Sequence, residues 1–151
     1  MQQKFWINVR EKPAFLVAMM RELAGSDSQI MFEGNLSKCN FSNIEQLPIT
    51  GEIHVCDSAS ENIVLPLTKN NIKPILKQVL PEGRVVHKIN HIQIQKRNEI
   101  QLMVGDNFHN ECISVGSMVS LEFLSILKKN GIIRKIQTDT EAKAKYLWFN
   151  T

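Results

Sequence analysis

Hydrophobic positions at the start of the chain follow first a period of two and then a helical period. Phe5, Ile7 and Val9 alternate with outward positions, which predicts a strand with one buried face. Pro13 then begins a segment with apolar residues at helical spacing, and Gly25 is placed to end that helix. The apolar residues of this helix are Phe15, Leu16, Met19, Met20 and Leu23. The sequence therefore predicts a strand followed by a helix.

Three apolar runs predict strands in the next part of the chain. Residues 29–33 alternate in the same way as the first strand, whereas the runs at 53–56 and 63–67 are short and predict weak strands. Residues 37–51 and 57–62 are rich in Ser, Asn and Asp, which favour turns and loops.

The middle of the chain predicts a helix and a hairpin. Residues 72–80 have an apolar stripe at helical spacing, formed by Ile72, Ile75, Leu76, Val79 and Leu80. Residues 85–95 and 100–104 alternate on either side of a short polar turn, which predicts an antiparallel hairpin. Ile89 is out of phase with Ile92, so this strand either contains a bulge between them or is buried on both faces.

The last third of the chain predicts one helix and a short closing strand. Apolar residues over 119–127 keep helical spacing, and Gly131 is placed to end the helix. Residues 132–136 predict a strand. A capping-box pattern at 138–141 predicts a C-terminal helix through Trp148, although the apolar residues of that segment suit a strand equally.

The order of these elements predicts an α+β fold. Strands and helices do not alternate as in a parallel sheet, so we expect a mixed or mostly antiparallel sheet covered by about three helices. We expect residues 1–151 to form a single globular domain, because the chain has the length of one domain.

Composition excludes several classes of protein. Of the 151 residues, 43% are hydrophobic and 22% are charged, which is not the composition of a disordered or low-complexity chain. The sequence lacks both the run of about 18 apolar residues that a membrane helix needs and the apolar stretch of a secretion signal. We therefore expect a cytoplasmic protein with no membrane partner. Cys39, Cys56 and Cys112 fit reduced thiols better than disulfides.

Charge is distributed unevenly along the chain. Residues 1–68 contain 5 basic and 8 acidic side chains, whereas residues 69–151 contain 13 basic and 7 acidic side chains. Such polarity suits two oppositely charged faces, which would steer a charged partner or favour head-to-tail self-association. Nucleic-acid binding ranks last among the functions considered, because the basic excess is modest and no recognition motif is present.

The segment after the hairpin contains the densest group of reactive side chains. His109 is a candidate base acting on Cys112 or on water, with Asp106 or Glu111 orienting its ring. The alternative interpretation is a structural turn in which Cys112 is a small buried residue. No family-specific signature surrounds these residues, and we favour the structural interpretation.

Two sets of His and Cys residues raise the question of a metal site. His54, Cys56 and Asp57 would have to combine with His109 and Cys112 to form a zinc site. The tight ligand pairs of zinc proteins are absent, as are the glycine-rich phosphate-binding motifs. The sequence therefore predicts no metal and no cofactor. His91 is most simply a residue of the sheet surface.

Two surfaces are candidate partner sites. Lys69, Lys73 and Lys77 form a basic stripe on the helix over 72–80, which suits an anionic partner or is an ordinary solvated face. Near the C-terminus, large aromatic residues must be buried either against the parent domain or in a partner protein. These residues are Tyr146, Trp148 and Phe149.

The function expected from these observations is non-enzymatic protein binding, either to another protein or by self-association. An inhibitor of the immunity or antitoxin kind is one concrete version. The first alternative is a small hydrolase or transferase that uses His109 with Cys112, Asp106 or Glu111. The second is a weak nucleic-acid binder that uses the lysine stripe with Lys128 and Lys129.

Overall fold

Seven strands and three helices make up the regular structure of a computed structural model, which describes residues 4–85, 88–109 and 111–138. The predicted C-terminal helix lies outside these ranges. Within them the elements are β1 (Phe5–Val9), α1 (Lys12–Leu23), β2 (Ser28–Gly34), β3 (Glu61–Pro66), α2 (Ile72–Val79), β4 (Ile89–Lys96), β5 (Glu99–Val104), β6 (Ile113–Val115), α3 (Leu121–Lys129) and β7 (Ile133–Thr138).

The strands form one sheet in the order β3-β2-β4-β5-β6-β1-β7, and every neighbouring pair is antiparallel. The α+β prediction with a mostly antiparallel sheet and three helices is confirmed. β3 and β7 form the two edges, while β1 is inserted between β6 and β7. The first and last described strands are therefore neighbours in space, although a long stretch of chain separates them.

All three helices bury their apolar residues against the same face of the sheet. Phe15 of α1, Ile75 of α2 and Leu124 of α3 belong to the same core cluster as Ile7 and Ile94 of the sheet. α3 is the best-capped helix, since the Ser120 hydroxyl accepts a hydrogen bond from the Phe123 amide. We call the face under the helices the core face, and the other face the outer face.

The predicted hairpin is formed by β4 and β5. Its two turn residues, Arg97 and Asn98, both have left-handed backbones, as a two-residue turn of this kind requires. The register of β4 against β2 shifts by one residue at Asn90. That bulge brings both Ile89 and Ile92 into the core, which confirms one of the two alternatives predicted from their spacing.

Two sequence predictions about strands need correction. Residues 53–56 are not a strand, because side chains of the sheet, and not a neighbouring strand, bind their backbone amides. β6 was not predicted. Its three residues are too few to show an alternation, and pairing with β5 and β1 on its two sides is what makes it a strand.

A long connection between β2 and β3 lies across part of the outer face. We call residues 45–60 the crossing segment. Its Ile53 packs against Met31 and Val64 in a small second cluster on that face. No helix in the described part of the chain has the length and apolar character needed to cross a membrane.

Candidate functional site

Glu33 and His91 are direct cross-strand partners on β2 and β4. Side chains alternate along a strand, so Glu33 shares the outer face with Met31, whereas Phe32 belongs to the core. The Glu33 side chain is nevertheless fully buried, at 0% exposure, because the crossing segment covers it. A buried carboxylate needs several hydrogen bonds to offset its lost hydration.

Backbone amides of the crossing segment supply those hydrogen bonds. The Cys56 amide donates to Oε1 and Oε2 of Glu33 at 2.9 and 3.1 Å, and the Asp57 amide donates to Oε2 at 2.8 Å. Glu33 therefore determines where residues 56 and 57 lie. The Cys56 side chain is consequently held on the outer face of the sheet next to His91.

Glu33, Cys56 and His91 bring three different metal-ligand types together. One donor atom from each lies within 4.8 Å of the donor atoms of the other two. Burial, followed by the nearby carboxylate of Glu33, raises the pKa of the Cys56 thiol, and a hydrogen bond from Gln93 opposes that effect. The thiol is therefore protonated at neutral pH and remains exposed to solvent.

His91 lies between this group and a second cysteine. Its Nδ1 atom is buried and has no hydrogen-bond partner among the described residues. Gly105 leaves the room for this arrangement: a Cβ atom there would lie 3.7 Å from His91 Nδ1 and 3.2 Å from the Cβ of Cys112. Cys56 and Cys112 thus both lie in the neighbourhood of His91.

The loop between β5 and β6 has an unusual backbone. Asp106, Asn107 and Phe108 have φ values of 46°, 53° and 63°, so three consecutive residues are left-handed. Residues other than glycine adopt this conformation mostly one at a time. The loop is held by hydrogen bonds from the Asn107 amide to the Asn90 carbonyl and from the Cys112 amide to the His109 carbonyl. Such strain concentrates at functional sites, and here it lies beside His91.

The candidate catalytic residues His109 and Cys112 lie in this same turn but make different contacts. His109 is exposed, and its Nδ1 accepts a hydrogen bond from the Glu111 amide at 3.3 Å. Burial, followed by the carboxylates of Asp106 and Glu111, raises the pKa of Cys112. A raised pKa gives the thiol little nucleophilic character at neutral pH. Catalysis by these residues stays a prediction.

The zinc arrangement considered from sequence combined Cys56 and Cys112 with His54 and His109. In the structure the two cysteines lie near a different histidine, His91. The His54 ring nitrogen Nδ1 contacts the Glu52 carbonyl oxygen at 3.2 Å and is exposed. Asp57 accepts hydrogen bonds from the Ala59 amide and the Ser60 hydroxyl, which lower its pKa, and the charge of His91 contributes in the same direction.

The expected partner residues are distributed as follows. Lys69, Lys73 and Lys77 are exposed along α2 and its approach. The aromatic residues Tyr146, Trp148 and Phe149 lie outside the described residues. Protein binding through either surface stays a prediction, as does an inhibitor or immunity role.

Sequence reasoning did not single out Glu33, and it expected His91 on the sheet surface, where the structure places it on β4 with intermediate burial. One signal was available: Glu33 shares its face with the apolar Met31, and a carboxylate on a covered face requires hydrogen-bond partners. The identity of those partners was not visible, because residues 56 and 57 follow a long connection without regular structure.

An open cleft lies next to the site. It has a volume of about 460 Å³ and polar walls. Two of its lining residues adjoin the site residues in the chain: Gly34 directly follows Glu33, and Asn90 directly precedes His91. The other lining residues are Asn35, Ala59, Ser60, Glu61 and Lys88.

Comparison of the chain with protein-family models, with curated proteins and with solved structures finds no match.

Proposed function

We propose that the protein binds a divalent transition-metal ion, zinc in the first instance, through Cys56, His91 and Glu33. The observation behind this proposal is the convergence of their three donor atoms within 4.8 Å. A thiolate, an imidazole and a carboxylate together suit zinc, whereas magnesium and calcium prefer sites made only of oxygen.

The distances suit one shared ion. Zinc bonds to these donors are about 2.0 to 2.3 Å long, so ligand atoms on a tetrahedral ion lie roughly 3.5 Å apart. The 4.8 Å spread of the group therefore requires side-chain adjustments of about an ångström. Cys56 is exposed, which gives an ion a route to the site from solvent.

The hydrogen bonds around Glu33 leave a position for metal coordination. A carboxylate can accept about four hydrogen bonds, and three amide contacts are present, two of them on Oε2. The thiol of Cys56 also hydrogen-bonds to this carboxylate. A metal ion would replace that thiol proton and bind both groups, so metal uptake should release a proton and strengthen as the pH rises.

Three protein ligands leave a fourth position for water. Structural zinc sites usually have four protein ligands, whereas catalytic sites have three and an open position. The proposed site is of the second kind.

Cobalt and zinc titration of the metal-stripped protein tests the proposal. We expect one equivalent of Co²⁺ to bind with a thiolate charge-transfer absorption, and zinc to displace it. Cys56→Ser should abolish that absorption, and His91→Ala should weaken binding by more than about 100-fold, which exceeds the effect typical of second-shell changes.

His54→Ala and Cys39→Ser are the matched controls, because they remove the same residue types elsewhere. Both should bind like the wild type. Binding that survives Cys56→Ser and His91→Ala in a protein with a native circular dichroism spectrum would overturn the proposal, as would the lack of any stoichiometric binding.

A further inference from the structure

A row of cross-strand partners runs across the outer face of all seven strands. In strand order its members are Val64, Met31, Gln93, Met103, Ser114, Trp6 and Gln137. The crossing segment covers the first three, which are at most 3% exposed. The last four lie on β5, β6, β1 and β7, and we call them the trough.

The trough has a small residue between two large ones. Ser114 pairs with Met103 on one side and with Trp6 on the other. Ser114 is 2% exposed, whereas Met103 and Trp6 are half-buried. Paired residues of neighbouring strands lie about 5 Å apart, so Met103 and Trp6 flank Ser114 at a separation of about 10 Å. That separation suits one aromatic ring between two apolar walls.

Within the described ranges, the helices and the crossing segment lie elsewhere. All three helices pack on the core face. The crossing segment forms its hydrogen bonds with β2, β3, β4, the hairpin turn and the start of β5. The Lys4 ammonium lies 4.9 Å from the centroid of the Trp6 ring and shields one face of it. Apart from that lysine, no described helix, strand or crossing segment covers the trough.

Two buried polar atoms beside the trough have no hydrogen-bond partner among the described residues. They are Oδ1 of Asn8 and Nε2 of Gln101. Asn8 is two residues from Trp6 on β1, so the two side chains share the outer face. The Gln101 amide lies over Gly116, two residues from Ser114, because a Cβ atom at Gly116 would lie 2.5 Å from Gln101 Oε1. Asn8 thus lacks a donor, and Gln101 lacks an acceptor.

These two atoms lie on opposite sides of the trough. β1 and β6 are antiparallel, so Asn8 and Gly116 extend in opposite directions from the Trp6 and Ser114 pair. Buried polar groups need partners, and a polypeptide backbone carries both missing groups, an N–H and a C=O. A single ion would match only one of them. The trough therefore suits a peptide segment that carries aromatic side chains.

Residues 139–151 are the part of this chain best placed to occupy the trough. They follow Thr138, the last residue of β7, and Gln137 directly before it belongs to the trough. The trough spans three strand spacings, about 14 Å, whereas residues 139–145 extend up to about 23 Å. That reach brings the next residues over Ser114, and they include Tyr146, Trp148 and Phe149.

We propose that residues 139–151 fold back over the outer face and bury their aromatic side chains in the trough. Backbone groups of this segment then pair with Asn8 and Gln101. The covalent connection favours this occupant over a second copy, because an attached segment has a high effective concentration at the trough. Of the two burial sites expected from the sequence for these aromatic residues, the proposal selects the parent domain. It goes beyond metal binding and does not depend on it.

Acrylamide quenching of Trp6 fluorescence tests the proposal in the full chain. The chain contains 2 tryptophans, so any replacement of Trp148 leaves Trp6 as the only indole. Trp148→Phe keeps an aromatic ring at its position and is the reference. The test variant combines Tyr146→Ser, Trp148→Ser and Phe149→Ser. Trp6 should be quenched at least about twofold more strongly in the test variant, because the aromatic rings no longer shield it.

The control combines Trp148→Phe with Lys143→Ser and Lys145→Ser, which changes two charged residues of the same segment. It should match the reference in quenching and in its circular dichroism spectrum. Equal quenching of Trp6 in the reference and the test variant would overturn the proposal.

Nuclear Overhauser effects test the same contact in the wild type, whether or not the variants fold. The chain contains 1 tyrosine, so the ring signals of Tyr146 are unambiguous. We expect effects between the Met103 methyl group and the aromatic rings of residues 146–149. The Met19 methyl group, which belongs to the core under α1, should show none with these rings and is the control.

A mixed sample identifies which copy supplies the segment. Copies with protons only on the methionine methyl groups are mixed with copies that have protons only on the aromatic rings. Effects within one copy are then lost, which is the expected result. Effects that persist in the mixture would assign the trough to a second copy and contradict the proposal, as would their absence from the wild type. Metal-free protein serves for all of these measurements, so their outcome is separate from that of the cobalt titration.

Discussion

Glu33 and His91 lie opposite each other on β2 and β4, and the carboxylate of Glu33 binds the amides of residues 56 and 57. One buried acidic side chain thus both holds the crossing segment on the sheet and supplies a donor atom beside His91. The scaffold of the site is made by the hydrogen bonds that a buried carboxylate requires.

The first prediction concerns the reactivity of Cys56 in the metal-free protein. Burial and the Glu33 carboxylate raise the pKa of this thiol, so the folded state favours its protonated form. Glu33→Gln removes the negative charge while keeping an acceptor oxygen, and it should lower that pKa. The midpoint of the alkylation rate of Cys56 against pH should therefore move to lower pH.

Iodoacetamide labelling followed by mass spectrometry measures that midpoint. Cys39→Ser and Cys112→Ser in the same chain leave Cys56 as the single thiol. The raised pKa also has a consequence for stability: its contribution is present at low pH and is lost as the pH rises through the pKa of the folded state. A midpoint that does not move in Glu33→Gln would contradict the electrostatic effect of Glu33.

The second prediction concerns Gln95, which attaches the crossing segment to β4. Its Oε1 accepts hydrogen bonds from the Glu52 and Ile53 amides at 3.0 and 3.4 Å, and its Nε2 donates to Gln29 at 3.0 Å. Gln95→Ala leaves the buried Ile53 amide unpaired, whereas the Glu52 amide keeps its hydrogen bond to the Asn98 carbonyl. The variant should destabilise the protein by about 2 kcal/mol.

Hydrogen exchange shows whether the loss is local. The amide of Ile53 should exchange much faster in Gln95→Ala, whereas those of α1 should change only with global stability. Gln46→Ala is the control, since this residue is exposed on the same segment. Unchanged protection of the Ile53 amide would show that other contacts hold the segment.

The third prediction compares two glycines with left-handed backbones. Gly34 has φ of 147°, and an added Cβ would clash with the Lys88 carbonyl oxygen and lie 2.9 Å from the Asn90 nitrogen. Gly83 has φ of 75° and open space around it. Gly34→Ala should therefore destabilise the protein by about 3 kcal/mol or more, and Gly83→Ala by about 1 kcal/mol.

Urea unfolding of the two variants measures this difference. The backbone conformation of both glycines disfavours alanine, so their difference isolates the close approach of β2 and β4 at the bulge. Equal destabilisation of the two variants would mean that the strands separate there at little cost.

The fourth prediction concerns acid stability. Burial tends to raise the pKa of Asp27, but a hydrogen bond from Arg97, its backbone and the charge of Lys96 together lower it. A lowered pKa in the folded state adds stability above the unfolded pKa, and that stability is lost as the pH falls through the folded value. Asp27→Asn should thus be less stable than the wild type at neutral pH and equally stable in acid.

Denaturant titrations of Asp27→Asn and the wild type at several pH values test this expectation. Glu22→Gln removes a carboxylate from the exposed side of α1 and provides the control. A stability difference that persists in acid would show that Asp27 acts through packing and not through its charge.

The sequence by itself determined the elements whose patterns are local. Alternation along β1 and β2, helical spacing in α1 and α2, and the turn at Arg97 and Asn98 each depend on residues close in the chain. The bulge at Asn90 was visible as one of two alternatives, because Ile89 and Ile92 break the period of two. These features follow from burying apolar residues within one strand or helix.

Only the tertiary structure decided the rest. The insertion of β6 between β5 and β1, the path of the crossing segment and the convergence of Glu33, Cys56 and His91 all join distant parts of the chain. Residues 53–56 resemble a strand in sequence, yet Gln93 and Gln95 bind their amides, so no neighbouring strand is needed. Hydrogen bonds between a side chain and a distant backbone group leave no periodic pattern in the sequence. For that reason the candidate site became visible only in the folded chain.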